Sequence, residues 1–278
     1  MLTIVDHSRD SAGLRYVYPV VSRRAGGVSI GINLNVNNAC NWACLYCQVE
    51  NLTRGGPPAV DLACLKAELS GFLHQVLQGD YLEREVPVEA RRLMDVAFSG
   101  NGEPTSSPEF AAAMACVGRV LDHFGLRGHL PVRLISNGSL MHRPAVQDGI
   151  RQLAALGGEV WFKVDRADPR EVAEINGVPG GSAKLVRNLS ICADLATTWV
   201  QTCWFALDGK SPSAASRQAY CDLLDSLNCK LAGVHLYGLA RPSMQAAAPR
   251  LSRLPAAELA AFADEITKKT GIRVIVSP

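Results

Sequence analysis

Residues 28–47 read VSIGINLNVNNACNWACLYC, a strand-like stretch that runs directly into a loop with three cysteines. In VSIGINLNV (28–36) apolar and polar residues alternate with a period of two, which is typical of a half-buried β-strand. The cysteines that follow are spaced C-x3-C-x2-C, and no fourth cysteine closes the run. The stretch therefore predicts a first strand whose carboxyl end carries three thiols close together.

Strand-like and helix-like patterns alternate along the rest of the chain. Further β-prone runs occupy 94–100, 132–138, 159–165, 199–207 and 231–240, and a last short run at 272–276 predicts an edge strand. Helical patterns lie between them, at 61–78, from SSPEF (106–110) to Gly125, near 144–156, 169–175 and 182–196, and at 213–227 and 256–269. Such alternation predicts right-handed β-α-β units and a parallel sheet.

Six units of this kind fall short of the eight in a complete (β/α)8 barrel. The sequence predicts an α/β fold, a partial (β/α)6 TIM-like barrel that is open on one side, with a doubly wound open sheet as the alternative. No Pro/Gly/Ser-rich linker divides the chain. We therefore expect a single domain over 1–278, with a lead-in at 1–27, a barrel core at 28–243, and a C-terminal helix and short strand at 244–278.

Composition narrows the classes of function. Hydrophobic residues make up 48% of the chain, enough for a sizeable core. The chain has 28 basic and 26 acidic residues. The near balance and the lack of a basic run do not favour nucleic acid as a partner. Neither a signal peptide nor an apolar stretch long enough to span a bilayer is evident, so a cytoplasmic protein without membrane association is expected.

Nine cysteines in such a compartment are expected to be reduced thiols or ligands. Six lie outside the loop, and they are interpreted as small hydrophobic core residues: Cys64, Cys116, Cys192, Cys203, Cys221 and Cys229.

Polar residues gather where the predicted strands end. The second strand runs into GNGEPT (100–105), and the third ends in SNGS (136–139). The fourth carries Lys163 and Asp165, and the sixth carries His235 and Tyr237, each pair two residues apart and hence on one face. Chemistry sits at the carboxyl ends of the strands in both candidate architectures, so we expect a functional site there.

Three thiolates suit an incomplete metal site better than a closed one. Structural zinc is normally four-coordinate, and the nearest further ligands, Cys64 and His74, lie on a predicted helix. A [4Fe–4S] cluster that only carries electrons is bound by four thiolates. With three, one iron keeps an open position, which is the mark of a catalytic metal site.

The C-x3-C-x2-C spacing, with Tyr46 directly before the third cysteine, resembles the signature of the radical S-adenosylmethionine (SAM) superfamily. GNGEP (100–104) resembles the GGEP motif of that superfamily, with Asn101 in place of the second glycine. VVSRRAGGVSIGINL (20–34), LISNGSL (134–140) and HLYGLARPS (235–243) are similar to an Fe–S oxidoreductase branch related to the enzymes of wyosine-type tRNA modification.

The resemblance implies a partial barrel, a [4Fe–4S] cluster bound by Cys40, Cys44 and Cys47, and SAM on the open iron. It implies reductive cleavage of SAM to a 5′-deoxyadenosyl radical, which abstracts hydrogen from an unknown small-molecule or macromolecular substrate. A flavodoxin or ferredoxin-like reductant would supply the electron. A glycyl-radical-type activating enzyme and a non-catalytic Fe–S or zinc protein remain the alternatives.

The resemblance also implies cofactor-binding residues. Gly100, Asn101, Gly102 and Glu103 are expected at the methionine end of SAM. Tyr46 would pack near the cluster or adenine, or simply within its loop. Asn137 is interpreted as a ligand of ribose or carboxylate, or as a turn residue. Lys163 and Asp165 are candidates for the same site, with a salt bridge inside the barrel as the alternative.

Overall fold

The computed structural model describes residues 12–22, 26–227 and 230–277. Cys229 and the Arg23-Arg24 pair of the 20–34 motif lie outside the described residues. The chain divides into two compact units. Unit one comprises Met1–Cys40, Gly55–Ile135 and Arg143–Glu159, and unit two comprises Asn41–Arg54, Ser136–His142 and Val160–Pro278. The single-domain organisation expected above stays a prediction.

The first half of the chain, through α4, contains six strands and four helices within residues 12–22 and 26–155. They are β1 (Val17–Ser22), β2 (Gly27–Ile32), β3 (Ala39–Cys40), β4 (Thr53–Arg54), α1 (Leu62–Leu77), α2 (Tyr81–Glu85), β5 (Leu93–Phe98), α3 (Phe110–His123), β6 (Val132–Ser136) and α4 (Pro144–Ala155). Short 3-10 turns lie at Val88–Ala90 and Pro104–Ser106.

Unit one is built on the strand order β1-β2-β5-β6. β2 pairs in parallel with β5, and β5 in parallel with β6, whereas β1 is antiparallel to β2. Helix α3 packs against both α1 and α4 with a buried apolar face that includes Phe110, Met114 and Leu121. Burial of these side chains, at roughly 25 cal/mol per Å² of apolar surface, stabilises the layer of helices.

β1 and the end of β2 differ from the sequence prediction. β1 lies within the predicted lead-in 1–27, where its Pro19 weakened the strand signal; an outer strand tolerates proline. β2 ends at Ile32, although the alternating pattern continues to Val36. The Asn33 side chain accepts a hydrogen bond from the Asn35 backbone N–H at 3.1 Å, so a side chain takes the place of a strand partner there.

The second half of the chain contains six strands and four helices among the described residues. They are β7 (Glu159–Lys163), α5 (Pro169–Asn176), α6 (Ser182–Leu195), β8 (Thr197–Cys203), β9 (Ala206–Leu207), α7 (Ala214–Asp225), β10 (Gly233–Tyr237), β11 (Leu251–Ser252), α8 (Ala256–Thr270) and β12 (Val274–Ser277). A 3-10 turn lies at Ala248–Arg250.

Unit two has the strand order β7-β8-β10-β12, in which β10 is parallel to both neighbours. β9 and β11 form a separate antiparallel pair. Trp204 stacks on Phe262 of α8 with ring centroids 4.4 Å apart, and both rings contact Tyr220 of α7. This aromatic cluster joins the two C-terminal helices to the end of β8.

The architecture confirms the predicted fold class. The α/β sheet contains the six predicted strands as β2, β5, β6, β7, β8 and β10, and the expected edge strand as β12. The fold is a partial (β/α)6 TIM-like barrel, open on one side. Within the described residues, every helix is too short or too polar to cross a membrane.

Candidate functional site

The cysteine loop follows β2 in the chain. Its residues fall in both units, because a segment of unit one ends at Cys40 and a segment of unit two begins at Asn41. Cys40 ends β3 and belongs to unit one, while Cys44 and Cys47 belong to unit two. Cys44 is buried, and the other two are partly exposed. None of the cysteines that the structure describes forms a disulfide. The loop therefore presents thiols, as the sequence predicts.

Residues distant in sequence hold the part of the loop that lies in unit two. The Ala43 and Leu45 backbone N–H groups donate to the carbonyls of Asn176 (3.0 Å) and Ile175 (2.8 Å) at the end of α5. On the other side, the Ser243 hydroxyl donates to the Leu45 carbonyl at 2.6 Å. With its backbone groups paired in this way, the segment has a fixed course although it contains no helix or strand.

α5 is capped at both ends, which fixes where its last residues lie. The Asp168 side chain accepts hydrogen bonds from the Arg170 and Glu171 backbone N–H groups, and Pro169 occupies the first turn. Gly177 ends the helix in the left-handed conformation, at φ 65°. An added Cβ at Gly177 would lie 3.0 Å from the Ala43 carbonyl oxygen, which explains the absence of a side chain here.

Asp165 organises the surroundings of Cys44. Its Oδ2 accepts hydrogen bonds from the Tyr46 hydroxyl (2.5 Å) and the Asn176 amide (2.7 Å), and its Oδ1 accepts one from the Cys203 backbone N–H (3.0 Å). The same Asn176 amide nitrogen lies 3.3 Å from the Cys44 sulfur. A buried carboxylate with three donors is well satisfied, which makes this network rigid.

Burial and neighbouring groups act in opposite directions on the pKa of Cys44. Burial raises the pKa of the Cys44 thiol to about 12, while the Lys163 ammonium and the Asn176 hydrogen bond act in the other direction. Burial alone would lower the pKa of Lys163, but the acidic groups around it, led by Cys44, raise it overall. Lys163 is thus a cation beside this cysteine, and it lies 5.2 Å from the centre of the Tyr46 ring.

A cavity of about 320 Å³ opens within unit two beside this network. Three residues predicted from sequence line it, namely Asn137, Lys163 and Asp165. Trp42 of the cysteine loop and Asn188 of α6 add an aromatic and an amide side chain. A volume near 300 Å³ with a few converging polar groups is typical of a site for a small molecule or a cofactor.

Asn137 is both a turn residue and part of the cavity wall. Its Oδ1 accepts a hydrogen bond from the Ser139 backbone N–H at 3.0 Å, the pattern of an Asx-turn. Its amide nitrogen donates to Asn41 Oδ1 at 2.8 Å, and Asn41 donates in turn to the Ser139 hydroxyl. The turn interpretation of Asn137 is therefore confirmed, and contact with a ligand stays a prediction.

The GNGEP segment forms a tight turn of its own in unit one. An added Cβ at Gly100 would lie 2.4 Å from Asn33 Oδ1, and one at Gly102 would lie 2.2 Å from the Ala39 carbonyl oxygen. Asn101 donates to Asn38 Oδ1 at 2.6 Å. The buried Glu103 carboxylate accepts hydrogen bonds from both the backbone N–H and the hydroxyl of Thr105. These contacts make the segment a packed turn that follows β5.

The structure thus places the predicted site residues in two groups, each within one unit. Unit two gathers Cys44, Cys47, Tyr46, Asn137, Lys163 and Asp165. Unit one holds Cys40, Gly100, Asn101, Gly102 and Glu103. No local sequence pattern predicts that Asn176, Asn41 and Asn188 lie at the site. Asn176 precedes a helix-ending glycine, but no local pattern shows that its side chain reaches Cys44, 132 residues away.

His235 and Tyr237, the polar pair on the sixth predicted strand, belong to an aromatic stack and to a core cluster, respectively. His235 lies against the rings of Trp161 and Trp199, with centroids 4.5 and 4.6 Å away. Tyr237 packs against the buried cluster around Cys44, Tyr46 and Cys203. Both side chains therefore take part in the packing of unit two.

The sequence is similar to distantly related proteins. No protein-family model matches the chain. It is 26% identical over 165 residues to the "UPF0026 protein" of Helicobacter pylori, a match that covers 56% of this chain and 48% of that one. It is 25% identical over 132 residues to a protein named GTPase Obg of Brachyspira hyodysenteriae, covering 48% of this chain and 17% of that one. The chain thus spans half or less of the length of these relatives.

Comparisons of the structure are more extensive. A radical SAM methyltransferase from Sphaerobacter thermophilus matches with a TM-score of 0.59 and 18% identity, over 94% of this chain and 68% of that one. SuiB of Streptococcus suis, whose structure contains S-adenosylmethionine, matches with a TM-score of 0.54 and 8% identity, over 91% and 47%. At such low identity the likeness concerns architecture alone: the chain shares the fold of these two proteins.

Proposed function

We propose that the chain is a radical SAM enzyme that binds a [4Fe–4S] cluster and SAM and abstracts hydrogen from a substrate not yet identified. One observation carries the proposal. A C-x3-C-x2-C loop follows the first parallel strand of this fold; the Asn176 amide donates to its buried Cys44, and the Lys163 cation acts to lower the pKa of that thiol against the effect of burial.

The chemistry of the donor set fits a cluster. Among the described residues, no three His, Cys, Asp or Glu side chains converge closely enough for a single metal ion. Each cysteine of a cubane cluster binds a different iron, so cluster ligands need not converge in that way. Cluster ligands are thiolates, and the Lys163 cation and the Asn176 N–H offset part of the burial that raises the pKa of Cys44, which lessens the cost of forming its thiolate. Three cysteines also leave one iron position open.

When bound, the reduced cluster and SAM would supply a 5′-deoxyadenosyl radical. The protein residues would perform three tasks. Cys40, Cys44 and Cys47 would hold the cluster. Lys163 would offset part of the negative charge of its thiolates, because it lies in the same buried region. Trp42 would help to shield the cavity from water, which protects a reactive species from side reactions.

The remaining roles rest on the motif resemblance. Gly100, Asn101, Gly102 and Glu103 are proposed at the methionine end of SAM. Tyr46, Asn137 and Asp165 are proposed as cofactor-binding residues, supported by their positions at the cavity or beside Cys44. We also propose membership of the branch related to wyosine-type tRNA modification, and this proposal likewise depends on sequence motifs alone.

The proposal includes a cellular setting. A flavodoxin or ferredoxin-like protein would deliver the electron, and such reductants operate in the cytoplasm. The substrate would be a small molecule or a macromolecule other than tRNA, since basic and acidic residues nearly balance, 28 against 26.

Anaerobic reconstitution with iron and sulfide tests the proposal. We expect about four iron and four sulfide per chain, the content of one cubane cluster. With dithionite and SAM, the loaded protein should release 5′-deoxyadenosine, and Cys44→Ala should abolish the release. Cys64→Ala is the matched control, because Cys64 lies on α1 outside the loop.

Tightly bound zinc in place of a cluster would overturn the proposal in favour of a structural metal protein. A cluster without deoxyadenosine release, tested with several reductants, would favour an electron carrier. If release occurs and deuterium from a glycine of a partner protein enters deoxyadenosine, the chain is an activating enzyme for that partner.

A further inference from the structure

Asn176 is the one side chain outside the cysteine loop for which the structure gives a hydrogen bond to the Cys44 sulfur. It is the last residue of α5 and is 1% exposed. Its backbone carbonyl accepts the Ala43 N–H at 3.0 Å, so main chain and side chain contact the same loop. Two hydrogen bonds, one of the main chain and one of the side chain, therefore fix the position of Asn176 relative to Cys44.

Asp165 determines which way the Asn176 amide faces. The carboxylate Oδ2 accepts hydrogen bonds, so the group 2.7 Å away must be the NH2 of Asn176 and not its oxygen. The Tyr46 hydroxyl and the Cys203 backbone N–H hold the carboxylate itself. One N–H of Asn176 is directed to Asp165, and the other is available to the sulfur at 3.3 Å.

An N–H donor at a ligand sulfur affects a cluster in a known direction. Reduction adds negative charge to the cluster and its thiolates, and a hydrogen bond to sulfur stabilises that charge. The reduced form gains more than the oxidised form, so such a bond raises the reduction potential.

We infer that Asn176 is a positioning residue that raises the reduction potential of a cluster bound at Cys44, through an N–H···S hydrogen bond oriented by Asp165. The inference rests on the proposed function. The step concerned is uptake of one electron by the oxidised [4Fe–4S]²⁺ cluster from the low-potential reductant, giving [4Fe–4S]⁺.

Two variants remove the donor. Asn176→Ala deletes the amide, and Asn176→Leu keeps most of the side-chain volume while removing both N–H groups. Thr198→Val is the matched control: Thr198 is also a buried polar residue of unit two, 1% exposed, and its hydroxyl lies 3.4 Å from the sulfur of Cys192, a cysteine outside the loop. All are reconstituted anaerobically, their folding is compared by circular dichroism, and their midpoint potentials are measured by spectroscopic redox titration.

We expect both Asn176 variants to bind a full cluster and to show about a tenfold smaller equilibrium constant for one-electron reduction, which is a potential about 59 mV lower. Thr198→Val should keep the wild-type potential, because Cys192 is not a proposed cluster ligand. Equal potentials in all four proteins would overturn the inference and leave the proposed function standing.

Two other outcomes separate the inference from the proposed function. If the Asn176 variants fold but lose the cluster while the control retains it, Asn176 serves assembly and the inference is wrong. If the wild-type protein itself binds no cluster, the proposed function fails and the inference fails with it.

Discussion

At the scale of single residues, Gly138 shows how closely the cavity wall is packed. It follows Asn137 in the turn after β6 and has a left-handed φ of 70°. A Cβ built on it would lie 1.9 Å from the ring of Phe162, which is fully buried in β7. Only glycine meets both demands, the positive φ and the contact with the ring. The turn that carries Asn137 and Ser139 thus depends on a residue without a side chain.

We predict that Gly138→Ala destabilises the protein more than Gly157→Ala. Gly157 has the same φ of 70°, but a Cβ there would meet nothing within 4 Å. The control therefore carries only the left-handed strain of about 1–2 kcal/mol, and Gly138→Ala adds roughly 1–3 kcal/mol of overpacking. Urea unfolding of the two variants measures the difference. Equal midpoints would show that Phe162 moves aside at little cost.

At the scale of elements, α5 connects a helix cap to the cysteine loop. The Asp168 cap begins the helix, and eight residues later its end provides the carbonyls of Ile175 and Asn176 that hold Ala43 and Leu45. Fraying of so short a helix would reach its last turn, because α5 is little more than two turns long. The cap thus contributes to the order of the cysteine loop through the length of the helix.

We predict that Asp168→Ala lowers the free energy of unfolding by about 1 kcal/mol, the usual effect of losing a cap. It should also accelerate hydrogen exchange of the Ala43 and Leu45 amides. Asp61→Ala is the control, because Asp61 caps α1 with two equivalent hydrogen bonds in unit one. A similar loss of stability without faster exchange at Ala43 and Leu45 is expected for it. Unchanged exchange in Asp168→Ala would show that the loop is held independently of α5.

At the scale of the whole molecule, charge is nearly balanced. The chain has a formal net charge of +2 and only seven lysines. Several of its cations are engaged: Arg133 pairs with Asp95 and Glu159, and Arg250 with Asp208 and Glu174. Paired cations have less to gain from phosphates, which supply most of the affinity in binding to nucleic acids.

We therefore predict weak binding of tRNA by the isolated protein. Filter binding at low salt should give no submicromolar affinity, and the little binding that occurs should show a shallow dependence on salt, since few phosphates are neutralised. A tight complex that weakens steeply as salt rises would contradict this expectation and would strengthen the link to tRNA-modifying enzymes.

Local patterns predicted the fold well, because strand alternation and helix caps depend on residues that are close in sequence. The edge strand β12 and the C-terminal helix α8 were both predicted from such signals. β1 was missed because VYPVVS lacks alternation and contains a proline. For the site, spacing revealed the cysteines, and the period of a strand put Lys163 and Asp165 together at the cavity. Asn176 could not be found, because its role depends on contacts between residues more than a hundred positions apart.

The hydrogen bonds from residues 243–245 to the cysteine loop have a consequence for synthesis on the ribosome. The Gln245 side chain donates to the carbonyls of Cys47 and Val49, and 198 residues separate Gln245 from Cys47. The Met244 backbone N–H donates to Cys47 as well. While the chain is being translated, the thiols emerge long before the segment that completes their loop. Maturation of the loop must therefore follow synthesis of residues 243–245, and until then the nascent cysteines depend on the reducing conditions of their surroundings.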